Sequence, residues 1–100
     1  MEEAAFANCE NLKKIVLHNN IKSLPCHIFF GCINLKDIVI PESVTEIGDF
    51  AFWSCKSLEE ISLSKNIKSI GENVFGYCDK ITIYAEADSY AEKYCQELFG

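Results

Sequence analysis

The sequence has little positive charge and no long apolar run. Its 100 residues include 9 Lys and Arg against 15 Asp and Glu, which gives a net charge of −6. Nucleic acids and anionic membranes are bound by positive protein surfaces, so this balance argues against both as partners. No apolar stretch approaches the ~18 residues of a membrane-spanning helix, so no membrane insertion is expected. Glu2 and Glu3 make the start acidic, so no signal peptide is expected there.

Motifs of catalysis, phosphate binding and metal binding are also missing. The sequence contains no C-x-x-C pair, Gly-rich phosphate loop or G-x-S-x-G elbow. The neighbours Cys26 and His27 would point to opposite sides of an extended chain, so they could not act as nucleophile and base. His18 and His27 have no two further convergent ligands, and we expect both to be solvated turn residues. The sequence therefore predicts no enzyme, no metal and no cofactor.

What the sequence does contain is a repeat of 23 residues. Seven columns keep this period over three or four copies, and a fixed period of ~20–50 residues indicates a solenoid in which each repeat is one coil. The columns are Phe6, Phe29, Phe52, Phe75; Cys9, Cys32, Cys55, Cys78; Leu12, Leu35, Leu58; Ile15, Ile38, Ile61; Leu17, Ile40, Leu63; Ile21, Val44, Ile67; and Leu24, Ile47, Ile70.

Each repeat has a part that reads as a strand and a part that turns. The I-x-L core alternates with period 2, so Ile61 and Leu63 should point inward while Glu60 and Ser62 point outward. Gly48 and Gly71 hold the same position in consecutive repeats and predict a tight turn. We expect coils over about 6–28, 29–51 and 52–74 and a closing coil over 75–87, within a single domain spanning 1–100.

The end of the chain departs from the period. By count, Ile81 falls in the Leu58 column, but by pattern Ile81 and Ile83 resemble Ile61 and Leu63 with three residues deleted. Strand alternation favours the second interpretation. Residues 88–99 then carry an apolar helical stripe, and the Ser-x-x-Glu spacing there predicts a capping box. We expect this helix to seal the last coil.

These motifs resemble the BspA-like leucine-rich repeats. The resemblance rests on F-x-x-C every 23 residues, preceded by Ala, Ile or Val and followed by L-x-x-I in the first three copies, as in A-F-x-x-C-x-x-L-x-x-I. It also rests on I-G-x-x-A-F at 47–52 and on a similar closing segment at 81–94. It implies a right-handed leucine-rich-repeat solenoid of the α/β class, mostly strand and loop, with a short-stranded parallel sheet on its concave side and a C-terminal capping helix. It also implies a cell-surface or secreted, adhesin-like protein that binds other proteins and has no enzymatic activity through the repeat.

The first coil starts part-way through a repeat, which leaves a strand edge and a slice of core uncovered. Two explanations stay open at this point. The chain can be the C-terminal part of a longer array, or the open edge can pair with a second molecule.

The cysteine column is expected to consist of buried, reduced thiols, because it keeps phase with the Phe and Leu columns and free cysteine packs like a small hydrophobe. Cys95 lies on the apolar helical stripe and should also be in the core. Cys26 stands where later copies have Asp49 and Glu72, so we expect it to be exposed.

Two surfaces are candidates for binding a protein partner. The first is the outward side of the concave sheet, where small, partly apolar residues would form a shallow ridge with charges beside it. The second is formed by the residues that directly follow the repeated Phe. Two of them would give an exposed, stacked aromatic pair, with a tyrosine nearby. The sheet candidates are Lys14, Asp37 and Glu60 in one column, continued by Lys80, and Val16, Val39 and Ser62 in the next, continued by Thr82. The aromatic candidates are Phe30, Trp53 and Tyr77.

Two functions follow from the sequence. One is a non-enzymatic protein-interaction module that uses one of these surfaces. The other is a structural C-terminal segment that closes a longer repeat array and binds nothing itself. The partner is a protein of unknown identity in the first case.

Overall fold

The computed structural model describes residues 2–99, with side chains to residue 98. It contains seven short strands followed by one helix. The elements are β1 (Lys14–Val16), β2 (Ser23–Leu24), β3 (Asp37–Val39), β4 (Glu46–Ile47), β5 (Glu60–Leu63), β6 (Ser69–Ile70), β7 (Thr82–Ala85) and α1 (Tyr90–Phe99). The expected short parallel strands and C-terminal helix are therefore confirmed. No helix among the described residues is long and apolar enough to cross a membrane.

The strands stack in parallel from one coil to the next. β1 pairs with β3, β5 pairs with β7, and β2, β4 and β6 form a three-stranded sheet. The partners follow the sequence period, with Ile15 opposite Ile38 and Ile47 opposite Ile70. Within residues 2–99, β3 and β5 are not joined by a ladder, so a seam divides the four longer strands into two pairs.

The last repeat shows that our expectation of a three-residue deletion was wrong. Ile61 lies opposite Ile83 and Leu63 lies opposite Ala85, so the closing coil is one residue shorter than the others. Ile81 instead belongs to the Leu58 column. Its N–H donates to the carbonyl of Cys78 at 3.3 Å, as the N–H of Leu58 donates to Cys55 at 3.2 Å. The turn after the cysteine is thus kept, and the strand begins one position early.

The segment around each phenylalanine crosses the coil opposite the longer strands and is bonded directly to the next coil. The N–H groups of Phe6, Phe29 and Phe52 donate to carbonyls one coil further on, at 3.1, 2.9 and 3.0 Å. Residues two places before and two places after each phenylalanine have positive φ, a left-handed conformation that lets this segment curve while every second N–H points along the stack. The residues before are Ala4, His27, Phe50 and Asn73, and those after are Asn8, Gly31, Ser54 and Tyr77.

The core consists of the repeated apolar columns, and the structure describes it as one contiguous cluster. The phenylalanine rings form a continuous stack with centroid distances of 5.7 Å for Phe6–Phe29, 5.5 Å for Phe29–Phe52 and 5.7 Å for Phe52–Phe75. Phe29 and Phe52 are fully buried. Each coil therefore covers the core of its neighbour, as expected for a solenoid.

Gly48 and Gly71 have a different role from the tight turn that we expected. Neither has positive φ in the structure. Instead, a Cβ atom at Gly48 would lie 2.5 Å from the backbone nitrogen of Cys26, and one at Gly71 would lie 2.6 Å from that of Asp49. Glycine is needed here because consecutive coils touch through their backbones.

Helix α1 closes the stack. The Ser89 hydroxyl accepts a hydrogen bond from the N–H of Glu92 at 3.1 Å, as expected for a capping box. The Glu92 carboxylate accepts one at 3.1 Å from the N–H of Asp88, one residue before the N–H of Ser89 that a standard capping box would use. Ala91 is fully buried against the core. The Tyr90 hydroxyl accepts the N–H of Ile70 at 3.2 Å, so the edge of β6 obtains a partner from the helix.

Candidate functional site

The cysteine column is structural, as predicted for its three inner members. Cys32, Cys55 and Cys78 are buried free thiols. Each thiol donates to the carbonyl of the phenylalanine 26 residues earlier, at 3.0, 3.2 and 3.1 Å respectively. The thiol thus fills a core position and joins two coils at once. Sequence reasoning missed this bond because the acceptor is a backbone carbonyl, which leaves no mark in the sequence.

These thiols are poor nucleophiles. Burial raises the pKa of Cys55 far above its usual range and raises the pKa of Cys78 to about 11. Burial also raises the pKa of Cys32. Reactive cysteines have a lowered pKa and partial exposure, so the column has the opposite character.

Four predictions about the remaining cysteines and histidines were wrong, the first of them for Cys9, which we expected to be buried and which is half-buried. Cys26 is half-buried rather than exposed, and Cys95 is half-buried rather than fully within the core. His27 is not a solvated turn residue, because its ring stacks on Phe50 at 5.3 Å with an angle of 13° between the planes. His18 is exposed, as expected. Among the described side chains, no group of His, Cys, Asp and Glu could hold a metal ion.

An aromatic cluster lies beside the phenylalanine stack. We define it as His27, Phe30, Phe50, Trp53 and Tyr77. Phe30 and Trp53 stack across consecutive coils at 4.8 Å and 11°, and Tyr77 meets the Trp53 ring edge to face at 5.0 Å. The predicted stack between consecutive coils and the nearby tyrosine are therefore present.

The aromatic cluster is less exposed than we predicted. Phe30 and Trp53 are half-buried, whereas Tyr77 is 63% exposed. A Cβ atom at Gly76 would come within 2.7 Å of the Trp53 ring, so this ring lies directly on the next coil. The ring faces of Phe30 and Trp53 therefore pack against other residues of this chain. Tyr77 is the member of the cluster that remains mainly accessible to a partner.

The other candidate surface is the outward side of β1, β3, β5 and β7, which we call the strand face. Its first two strands have the predicted columns, with Lys14 opposite Asp37 and Val16 opposite Val39. Val16 is 78% exposed and Val39 is 73% exposed, so the valine pair lies open to solvent.

The last strand of the strand face differs from the prediction. Thr82, not Lys80, lies opposite Glu60, and Tyr84, not Thr82, lies opposite Ser62. The single-residue deletion in the closing coil causes both errors. Tyr84 is 53% exposed and is a surface residue that sequence reasoning missed. A count of the period with one deletion would have placed it in the valine column.

Two adjoining hollows lie along the strand face, and we call them together the trough. The first, of about 470 Å³, includes Asp37, Val39 and Glu60, and the second, of about 370 Å³, includes Glu42 and Glu86. The hollows share Ile40, Ser62 and Tyr84. All the carboxylate residues of the trough are exposed.

The charges of the trough are not paired with one another. Among the described side chains, the one ion pair is Lys36 Nζ to Glu59 Oε2 at 4.0 Å, and it lies outside the trough. Lys14 and Asp37, which lie opposite each other on β1 and β3, thus form no ion pair. The trough combines an apolar floor with free carboxylates.

Comparisons with known proteins agree with this fold. The family model described as "BspA type Leucine rich repeat region" matches residues 1–97 with six copies. No curated protein matches the chain.

Two solved structures are similar over most of the chain. A leucine-rich cell surface protein from Faecalibacterium prausnitzii A2-165 has 36% identity and a TM-score of 0.82, over 92% of this chain and 24% of its own. A leucine-rich repeat protein from Bacteroides ovatus ATCC 8483 has 31% identity and a TM-score of 0.80, over 86% of this chain and 22% of its own. This chain therefore spans about a quarter of the length of either protein.

Proposed function

The chain belongs to the BspA-type leucine-rich repeat family, and we propose that it is a non-enzymatic module that binds a protein through its strand face. The observation that carries the proposal is the exposed pair of Val16 and Val39 on the first two strands of that face. Apolar side chains that adjoin one another and lie in contact with solvent are a feature of interaction sites.

The shape of the strand face supports a protein partner rather than a small molecule. Small ligands are usually enclosed by deep, mostly apolar pockets. Here the two hollows lie on an open sheet and are edged by exposed charges such as Asp37 and Glu42. An open apolar floor with a polar rim is the usual anatomy of a protein interface.

The proposed setting is the cell surface, where an adhesin-like protein would present the module. Support comes from the Faecalibacterium protein, which is described as a cell surface protein. We also infer a right-handed winding of the coil, since connections between parallel strands are right-handed in about 98% of cases.

Selection of binding peptides tests the proposed surface. A library of random peptides is displayed and selected on the protein, and the selected peptides are titrated into ¹⁵N-labelled protein. We expect the largest amide shifts in β1, β3, β5 and β7. The Val16→Asp and Val39→Asp double variant should lose binding, while the control Ile33→Asp, at an exposed turn residue, should keep it. Shifts centred on another surface would contradict the proposal.

The second candidate function is a structural one, in which the chain closes a repeat array. The observation that favours it is the bond from Ile70 N–H to the Tyr90 hydroxyl, which satisfies an edge strand that would otherwise be open. If selection yields no peptide for the strand face, closure of an array becomes the better explanation. The two functions make opposite predictions for that experiment.

Self-association through the first coil is a further part of the proposal. Phe6, Cys9 and Leu12 are only half-buried, whereas the equivalent Phe29, Cys32 and Leu35 are fully buried. A second copy that covered this edge would remove the exposed apolar area from water. Light scattering under reducing conditions over a concentration series would show a dimer, and a monomer throughout would contradict this part.

A further inference from the structure

We propose that the trough binds an extended, basic segment of a protein partner, with two cationic side chains seated about four residues apart. This inference rests on the proposed function of the strand face and specifies the chemistry of the partner. It follows from three features of the trough, which are its charge, the seam in its floor and the apolar strip between its carboxylates.

The charge of the trough selects a cationic partner. Four carboxylates line it, and Lys14 is its one ammonium group within the described residues. The carboxylates are those of Asp37, Glu42, Glu60 and Glu86. A second copy of this chain is a poor occupant of the trough, because two strand faces in contact would bring their carboxylates together. Nucleic acid is disfavoured for the same reason.

The seam between β3 and β5 provides one seat for a cation. Asp37 and Glu60 hold the same position in consecutive coils and line the same hollow. Their strands are not joined by a ladder in the described part of the chain. A lysine or arginine head group placed between them would be attracted by both carboxylates.

The second seat lies at the other end of the trough. Glu42 follows Asp37 by five residues, so the two carboxylate pairs are separated by at most about 16 Å at the rise of an extended strand. Glu86 lines the same hollow as Glu42. Residues four apart on an extended segment are separated by about 13 Å. The flexible side chains of two lysines at that spacing can reach both carboxylate pairs, which are up to about 16 Å apart.

The strip between the two seats is mostly apolar, and Ser62 is its polar member. Val39 and Tyr84 are exposed along it, and Ile40 forms part of the floor of both hollows. The methylene stems of lysine or arginine can lie on such a surface while their charged ends reach the carboxylates. The exposed ring of Tyr84 can also attract a cation through its face.

A defined peptide tests this inference. The probe is Ser-Lys-Thr-Val-Thr-Lys-Ser with blocked ends, titrated into the full chain and followed by amide shifts in low salt. A matched probe has Gln in place of both lysines. We expect binding of the lysine probe with shifts in β3 and β5, and about tenfold weaker binding of the Gln probe, since exposed ion pairs contribute up to about 1 kcal/mol each.

Two double variants locate the charges responsible. Asp37→Asn with Glu60→Gln removes one of the two seats and should weaken binding of the lysine probe about threefold, which is half of the free energy expected for both lysines. The control, Glu10→Gln with Asp79→Asn, changes the net charge equally at exposed residues outside the trough and should retain the affinity within about twofold. Circular dichroism checks that both variants fold.

Two results would overturn the inference. One is an equal loss of affinity in both variants, which would show unspecific attraction by net charge. The other is equal affinity of both probes, or no binding of the lysine probe at millimolar concentration. If peptides selected from the random library still bind the strand face in that case, the proposed function stands and only the basic character of the partner is wrong.

Discussion

Replacing Phe52 by Ala removes the central ring of the phenylalanine stack. Phe52 is fully buried and has a parallel ring on either side, at 5.5 Å from Phe29 and 5.7 Å from Phe75. Phe6 is at the end of the same stack, is half-buried and has one such neighbour. The same substitution at these two positions therefore removes the same atoms from different surroundings.

The expected cost differs accordingly. Truncation of a buried phenylalanine costs about 3–5 kcal/mol, and loss of two aromatic pairs places Phe52→Ala in the upper part of that range. Phe6→Ala should cost about 1–2 kcal/mol, because part of its ring is already in water and it loses one pair. In a solenoid the free energy of unfolding is approximately a sum of coil and interface contributions, so the central change affects two interfaces.

Urea unfolding measures both costs. With a slope of about 1–3 kcal/mol per molar urea, Phe52→Ala should move the midpoint by about 2 M and Phe6→Ala by less than about 1 M. Phe52→Leu is the matched control, since it keeps most of the volume but loses the ring pairs. Coincident circular dichroism and Trp53 fluorescence transitions would justify two-state treatment. Equal costs at Phe6 and Phe52, or a cost below about 1 kcal/mol at Phe52, would refute the stacked-coil reasoning.

Four further predictions concern the backbone, the cap and the thiols. Gly48→Ala should destabilise the protein by more than about 1 kcal/mol in urea unfolding, because the added carbon meets the backbone of the preceding coil. Ser54→Gly should stabilise it by about 0.5–1 kcal/mol in the same assay, because Ser54 has φ of 64° and the equivalent Gly31 has φ of 72°. Tyr90→Phe should cost about 1 kcal/mol through loss of the hydroxyl bonded to Ile70, while Tyr77→Phe, a control at an exposed ring, should cost little. Burial raises the pKa of Cys78 to about 11, so the folded state binds the thiol proton more tightly than the unfolded state. The contribution of this thiol to the free energy of unfolding should therefore be fully present below a pH of about 9 and decrease toward pH 11. Thermal midpoints against pH check this, and Cys78→Ala should reduce the decrease.

The core could be predicted from the sequence because its side chains repeat. The positions of Phe29, Cys32 and Leu35 recur one coil later as Phe52, Cys55 and Leu58, and all six are fully buried. Burial in a solenoid depends on the same positions in every coil, so the period alone identifies the core. The columns of the first two strands, such as Val16 and Val39, followed from the same period.

The closing coil could not be predicted in the same way because two local rules conflicted. Alternation favoured Ile81 and Ile83 as the inward pair of the last strand. The structure instead keeps the hydrogen-bonded turn after Cys78 and shortens the segment that follows. A lost turn would leave backbone groups without partners, whereas β7, which begins one position early, still pairs along its whole length with β5. The error also hid Tyr84, which belongs to the candidate surface.

The left-handed positions show a period that the side chains do not have. Ala4, His27, Phe50 and Asn73 share no chemistry, yet their φ angles lie between 51° and 61°. Only one of the eight positions flanking the phenylalanines is glycine, the residue that would have signalled this conformation. Isolated left-handed residues other than glycine are costly, so the surrounding bonds between coils must compensate at each step. The conformation is therefore a property of the stack, and a single repeat read alone gives no reason to expect it.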